Sequence, residues 1–407
     1  MPAKKRRSSK PAVSSTAIDI LTLGSLTRVI PRKVVEDVIN KHNRMNKIDC
    51  KLPAPLVAYL VVSFGLKLES TREVLRWLLQ GMKSLWGNDA IPADTAGKPA
   101  ISMARARLGW EVLRDIYEAC AQLIATPKTR GANYRNWRLM AIDGTTFATQ
   151  DTPDNVKAFG KTGSKEGLSA FPLMRCTGLV EIGTHIVLAV ALGAWRDSEV
   201  ALAEKLLSKI NSKMLCLLDR GFVGYPFWKK VADTGAKVIG RMRINMKPPC
   251  EKRLPDGSYL TTLYPTGTKK IKGCPDLRVR IIEYRLSHVP DAEPLYRICT
   301  NILDPADGPA NELAELYHER WENESVFDEV KTHLRGGNLA VLRSLSADMV
   351  RQEIYGLFLA HYAIRCVMHD AALQIEEDPD RISFVHTIRV LRRSIPLAAA
   401  LPPSEVE

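Results

Sequence analysis

"WRLMAIDGTTF", residues 137–147, and "KMLCLLDRGFV", residues 213–223, carry the pattern that decides the fold. Each is a short, nearly unbroken apolar run that ends on an aspartate, Asp143 in the first and Asp219 in the second, with a glycine close behind. Runs of this length and character read as strands buried on both faces. A carboxylate at the end of such a strand is costly unless it pairs or meets a cation. In an α/β sheet the carboxyl ends of the strands are also where ligands collect.

Working outward, "FPLMRCTGLVEI" (171–182) and "THIVLAVALGAW" (184–195) read as two further strands. "SEVALAEKLLSKI" reads as a helix from Ser198, "YPFWKKVADTGA" as another, and "KVIGRMRI" as a strand. Three strands followed by helix–strand–helix–strand predict an α/β fold in which antiparallel strands lead. Residues 246–305 break that rhythm with prolines and glycines between short β-type runs, and read as a β-rich insertion.

Upstream, residues 19–130 read as an all-helical N-terminal domain. "PRKVVEDVINKHN" starts on Pro31, suited to a first helical turn. "APLVAYLVVSFGL" is apolar nearly all round, and Ser70 with Glu73 makes a capping box. A Gly/Pro/Asp-rich linker at 87–99 precedes a helical stretch carrying Arg105 and Arg107, read either as a helix-turn-helix that contacts DNA or as a plain bundle with exposed arginines. Residues 1–18 form a basic, Ser-rich arm without apolar periodicity, read as disordered. The region 346–407 begins with an amphipathic helix, ends in a Pro-rich tail, and is a candidate for dimerisation.

The 407 residues imply more than one folding unit, and the net charge of +13 favours a polyanionic partner, nucleic acid above all. The eight cysteines form no CxxC pair, which argues against a zinc site; scattered thiols with no signal peptide suggest a reducing cytoplasm. The most apolar runs, 55–66 and 178–195, are respectively too short and interrupted by Glu181 and His185, so no membrane span is expected.

Residues 317–336, "YHERWENESVFDEVKTHLRG", read as one helix. At about 100° per residue, Tyr317, Arg320, Glu324 and Lys331 fall in a stripe about 60° wide, beside an apolar stripe of Val326, Phe327, Val330 and Leu334. Tyr317 and Lys331 each lie roughly 10 Å from Glu324 along the axis, a spacing suited to successive phosphates of a nucleic-acid backbone. The simpler alternative is ordinary charge pairing on a surface helix. Glu324 with Asp143 and Asp219 makes a carboxylate set for two hard cations, Mg²⁺ or Mn²⁺, of the kind that drive phosphoryl transfer.

These residues resemble the insertion-sequence-four family of DDE transposases, whose signature is Tyr, two residues, Arg, three residues, Glu, six residues, Lys; Tyr317, Arg320, Glu324 and Lys331 match it in full. "AIDGTTF" and "LLDRGF" resemble the family's two aspartate motifs. The resemblance implies a ribonuclease H-like catalytic core over 131–345, containing the β-rich insertion, and a bacterial, cytoplasmic, nucleoid-associated enzyme. Asp143, Asp219 and Glu324 would be the catalytic and metal-binding acids, and Tyr317, Arg320 and Lys331 DNA contacts. The substrates would be double-stranded DNA at the inverted-repeat ends of the element and at the target, cut and joined by a homodimer, in the cut-and-paste manner. A metal-dependent nuclease without strand transfer and a domesticated DNA-binding protein remain the competing readings.

Overall fold

A computed structural model describes residues 23–47, 50–86, 96–164, 167–265, 276–285, 295–319, 324–337 and 340–391. The N-terminal arm, most of the 87–99 linker, parts of the insertion, Arg320 and the Pro-rich tail lie outside the described residues.

The chain opens with helices α1 (Leu23–Val29), α2 (Arg32–Lys41), α3 (Ala54–Leu66), α4 (Thr71–Trp86), α5 (Lys98–Leu108) and α6 (Trp110–Cys120). The capping role of Ser70 is realised: its hydroxyl accepts from the Glu73 amide at 3.4 Å. The stretch carrying Arg105 and Arg107 breaks into two helices at Gly109, whose φ of +81° is a conformation that residues with a Cβ resist.

The sheet follows. Its order is β6-β5-β2-β7-β8-β12-β11-β10-β9, with the short β1 (Asn133–Tyr134) off the path beside β2. At its centre β2 (Trp137–Ala148), β7 (Met214–Leu218) and β8 (Lys237–Arg241) run parallel. On one side β5 (Leu173–Glu181) and β6 (Ile186–Ala194) pair antiparallel, as the leading strands were expected to. The β-rich insertion is not a module apart. Its strands β9 (Lys252–Arg253), β10 (Tyr259–Leu263), β11 (Leu277–Tyr284) and β12 (Tyr296–Thr300) extend the same sheet, because β12 pairs antiparallel with β8. A two-stranded ribbon, β3 (Gly163–Ser164) with β4 (Gly167–Leu168), and helix α7 (Pro153–Phe159) stand beside it.

Alternation along β2 splits the core. Met140 and Ile142 pack with Leu202 and Ala203 of α8 (Glu199–Glu204) and Phe227 and Trp228 of α9 (Tyr225–Asp233). Leu139 and Ala141, on the opposite face, pack with Leu313, Leu316 and Tyr317 of α10 (Ala310–Glu319).

The C-terminal region opens on helix α12 (Ala347–Gln374). The helix is buried along most of its length and shares one apolar core with α3, α6, β5 and β6. Its crossing with α3 is tight because both helices carry glycine there. A Cβ on Gly356 would meet the Val61 carbonyl oxygen at 2.7 Å, and one on Gly65 would meet Ala360 Cβ at 2.7 Å. The N-terminal helices and the central sheet are therefore joined through α12. Among the described residues no helix is long and apolar enough to cross a membrane.

Candidate active site

The parallel pairing of β2 with β7 ends at Ile142 opposite Leu218. One register step further brings Asp143 beside Asp219, on neighbouring strands about 4.8 Å apart. Both are half-buried. The Asp143 carboxylate accepts from the Gly144 amide at 2.9 Å, and Asp219 opens a tight turn in which its carbonyl accepts from the Phe222 amide at 2.9 Å.

Strand β2 does not end on Asp143, as the apolar run suggested. It continues to Ala148, because β5 hydrogen-bonds to it from Met140 opposite Glu181 to Ala148 opposite Leu173. Backbone pairing needs no apolar side chains, so the run "GTTFA" stays in the sheet. Asp143 thus stands mid-strand, at the point where the β7 partner falls away.

The helix expected over 317–336 is also not one straight rod. Helix α10 is described to Glu319; α11, described from Glu324 to Asp328, passes into a π-helical stretch, Glu329–Leu334, and there leaves regular α geometry. A π turn holds more residues than an α turn, so Lys331, half-buried on it, departs from the straight 100° projection. Tyr317 does not stand on a displayed polar stripe. It is 4% exposed, and its hydroxyl donates to the Leu218 carbonyl at 3.1 Å, next to Asp219. The phenol is a buried hook, its ring packed among apolar side chains of the sheet. On the other side of the site, a Cβ on Gly178 would lie 3.0 Å from Phe327 Cζ. Gly178 is the residue opposite Asp143, so Phe327 crosses the sheet on the Asp143 face. Glu324 lies one helical turn before Phe327, between these two contacts; its side chain lies outside the described atoms.

A buried ionic cluster holds the π stretch. Glu329, 6% exposed, accepts from Arg365 Nε at 2.9 Å, lies 2.9 Å from His361 Nε2, and is ion-paired with a second Arg365 nitrogen. His185 adds Nδ1 at 3.6 Å from Glu329 and Nε2 at 3.1 Å from Asp380. Burial alone would raise the Glu329 carboxyl; hydrogen bonds with His185 and His361 and the Arg365 charge hold it far below the usual carboxylate range. Burial pushes His361 down, despite Glu329. Burial and Arg365 press His185 the same way, but its hydrogen bonds to Asp380 and Glu329 leave it raised.

Glu199 stands behind the site, on the α8 face of the sheet opposite Asp143, although nothing in its sequence pattern marks it. A Cβ on Gly144 would fall 1.6 Å from Glu199 Oε1, so the glycine after Asp143 makes room for that carboxylate. Burial raises the Glu199 carboxyl, Arg175 at 4.0 Å draws it back, and the Asp219 charge pushes it up again, leaving it raised.

Of the two arginines expected to reach DNA, Arg105 does not face solvent. It is 5% exposed; Nε donates to Gln352 at 2.8 Å, and another nitrogen to Ser344 Oγ at 3.0 Å and the Met349 carbonyl at 3.1 Å. Its place four residues before Gly109 turns it toward α12, a tertiary contact invisible to local reading. Arg107 is exposed, with one nitrogen donating to the Leu52 carbonyl at 2.9 Å.

A mixed sheet with three antiparallel strands leading into a parallel pair, and two aspartates side by side where that pairing ends, defines a ribonuclease H-like catalytic core. Residues 138–363 match the transposase DDE domain, and residues 20–118 match the insertion element 4 transposase N-terminal domain. The chain belongs to the DDE transposase family, and it is a DNA transposase, an enzyme of phosphoryl transfer. It is 27% identical over 362 residues to the transposase InsG for insertion sequence element IS4 of Escherichia coli K12, covering 88% of this chain and 79% of that protein. It is 27% identical over 173 residues to the putative transposase InsZ of the same organism, covering 42% of this chain and 55% of that protein. The piggyBac transposase synaptic complex with hairpin DNA aligns with a TM-score of 0.49 at 11% identity, covering 95% of this chain and 83% of that one.

Proposed function

We propose that this transposase cuts and rejoins DNA at the ends of a bacterial insertion sequence, with Asp143, Asp219 and Glu324 as its metal-binding catalytic acids. The observation that carries the reading is the register step that sets Asp143 beside Asp219, with the Glu324 helix crossing over the same face at Phe327. Among the described residues no three acids, histidines or cysteines close into a metal group, and Glu324 would supply the third carboxylate. An all-oxygen donor set suits Mg²⁺ or Mn²⁺. Two such ions, when bound, lower the pKa of the attacking water or 3′-hydroxyl and stabilise the leaving oxygen.

The rest falls to this chain's own side chains. Asp143 is oriented by the Gly144 amide, and Asp219 by the turn it opens. Tyr317 acts as a positioning residue through the Leu218 carbonyl rather than by touching a nucleotide. Arg320 and Lys331 hold backbone phosphates on either side of Glu324, and Arg107 offers a further exposed cation on the N-terminal helices. Transfer of an element with two ends calls for two active sites, so the working complex is a homodimer on double-stranded DNA, acting by cut-and-paste in the bacterial cytoplasm at the nucleoid.

The test is a labelled end duplex incubated with the purified chain in Mg²⁺. Asp143→Ala, Asp219→Ala and Glu324→Ala should each abolish strand cleavage while mobility-shift binding of the end persists. Cleavage that survives any one substitution removes that residue from the catalytic set.

A further inference from the structure

A cleft of about 980 Å³ lies between the N-terminal helices and the segment that follows the π stretch, away from the paired aspartates. Its charged lining is Lys98, Arg105, Arg335 and Arg343 against the single carboxylate of Glu353. That carboxylate is already engaged. It accepts from the Arg343 and Ser344 amides at 3.1 and 3.0 Å and from Ser344 Oγ at 2.6 Å, and has Arg335 and Arg343 nitrogens at 3.5 and 3.8 Å. Arg105 is spent on protein partners and contributes field alone. The Arg335 side chain is 10% exposed, and its Nε has no hydrogen-bond partner. A buried guanidinium with an unused donor is costly unless an anion meets it.

The backbone adds to the same field. Ser70 and Thr71 at the start of α4, Lys98 at the start of α5 and Ser346 at the start of α12 all line the cleft. Three helix N-termini therefore converge on it; Ser70 Oγ already accepts at the first and Asp154 Oδ2 takes the Ala347 amide at 2.7 Å at the third, so α5, with no side-chain cap at Gly97, contributes most to the field. An uncapped terminus presents amide donors and about half a positive charge. Excess guanidinium with several helix N-termini is phosphate-binding chemistry.

We propose that this cleft holds a backbone phosphate of the substrate DNA, so that the N-terminal helices and the catalytic segment grip one strand together. Arg335 directly ends the π stretch that begins just beyond the Glu324 helix. Eleven residues at no more than about 1.5 Å each set it at most about 16 Å from Glu324 along the segment. At about 3.4 Å per base step, the phosphate lies within about five nucleotides of the scissile bond. The proposal rests on the reading of the chain as a DNA-cutting enzyme.

The experiment measures affinity of the full chain for a labelled end duplex at rising salt, for the wild type, Lys98→Gln, Arg343→Gln, their double variant and Arg335→Gln. Each lost phosphate contact lowers the slope of log K against log salt by about 0.9, so between 50 and 200 mM salt the double variant should lose about 12-fold less affinity than the wild type. A methylphosphonate placed singly along the duplex should weaken wild-type binding at a linkage within about five nucleotides of the cut, and have no effect there in the double variant. Lys98 and Arg343 are partly or fully exposed, so the test survives even if Arg335→Gln fails to fold. Unchanged slopes in both single variants and the double overturn the proposal. So does protection of the cleft by inorganic phosphate with no change in DNA slope, which would make it a small-anion site. A wild type that binds no end DNA at all would instead sink the functional reading on which it stands.

Discussion

Arg365→Met tests whether the buried cluster at Glu329 positions the catalytic helix. In the native chain Arg365 is 3% exposed and meets Glu329 through two nitrogens. Methionine keeps the stem's volume and removes the charge. Glu329 is then left buried with histidine partners, one of which, His361, burial disfavours in its charged form. Breaking one side of a buried pair costs about 3–5 kcal/mol. With an unfolding entropy of about 2.1 cal/mol/K per residue over 407 residues, that corresponds to a fall in Tm of about 4–6 °C. The functional effect should exceed the stability effect. The π stretch carries Lys331 and continues directly from the Glu324 helix, and a misplacement of about 1 Å in a catalytic group costs about 10²-fold in rate. Calorimetry gives the first quantity; cleavage of labelled end DNA, well below the transition, gives the second. The double variant Arg365→Met/Glu329→Leu, which removes the pair instead of orphaning half of it, should recover most of the lost Tm but not the cleavage rate. A Tm within about 1 °C of wild type and unchanged cleavage in Arg365→Met would refute the argument.

Gly144→Ala moves only the flexible, partly exposed end of the Glu199 side chain aside, so stability in denaturant titration should change by less than about 1 kcal/mol, and Gly144→Ala/Glu199→Ala should match Glu199→Ala. Arg105→Ala should lower stability by about 1–3 kcal/mol through orphaned Gln352 and Ser344, whereas Arg107→Ala should leave Tm in place and lower the salt slope of DNA binding by about 0.9. The reverse pattern would return Arg105 to the DNA interface. Acid should destabilise the protein in two stages: His361, depressed from 6.5, withdraws stability as pH falls below that value, and Glu329, depressed from 4.5, withdraws more below 4.5. His185, raised, acts oppositely, contributing below 6.5 and losing that contribution as pH rises through its folded value. Glu329→Gln should flatten the limb below about pH 4.5, and urea titrations from pH 7 to 3 that show the same slope in both proteins would contradict the assignment.

What was legible in the sequence was whatever has a local cause. The apolar runs before Asp143 and Asp219 marked strands because a doubly buried strand leaves no polar positions. The leading antiparallel pair and the cap at Ser70 followed from similarly short-range chemistry. What escaped has a cause far away in the chain. The extent of β2 past Asp143 is set by β5, the burial of Arg105 by α12, and the joining of the insertion to the main sheet by pairing of β12 with β8. Glu199 is revealed only by the glycine that makes room for it, and a glycine in a strand does not announce which side chain will fill its space.

The stripe over 317–331 shows why periodicity alone misjudges such a segment. A projection at a constant angle assumes a helix held by its own backbone bonds. This segment is instead held from outside at two points, seven residues before Glu324 and five after it. Tyr317 ties the end of α10 to the Leu218 carbonyl beside Asp219, a bond worth about 0.5–1.5 kcal/mol net. Glu329 ties the π stretch to α12 through Arg365 and His361. Neither anchor touches Asp143 or Asp219, yet in sequence they bracket Glu324, the acid proposed as the third ligand. The π geometry coincides with the second anchor: Glu329 faces inward to Arg365 while Val330 and Leu334 remain in the core. The tyrosine of the motif therefore works by mechanics as much as by chemistry, fastening α10 to the end of the strand that leads into Asp219.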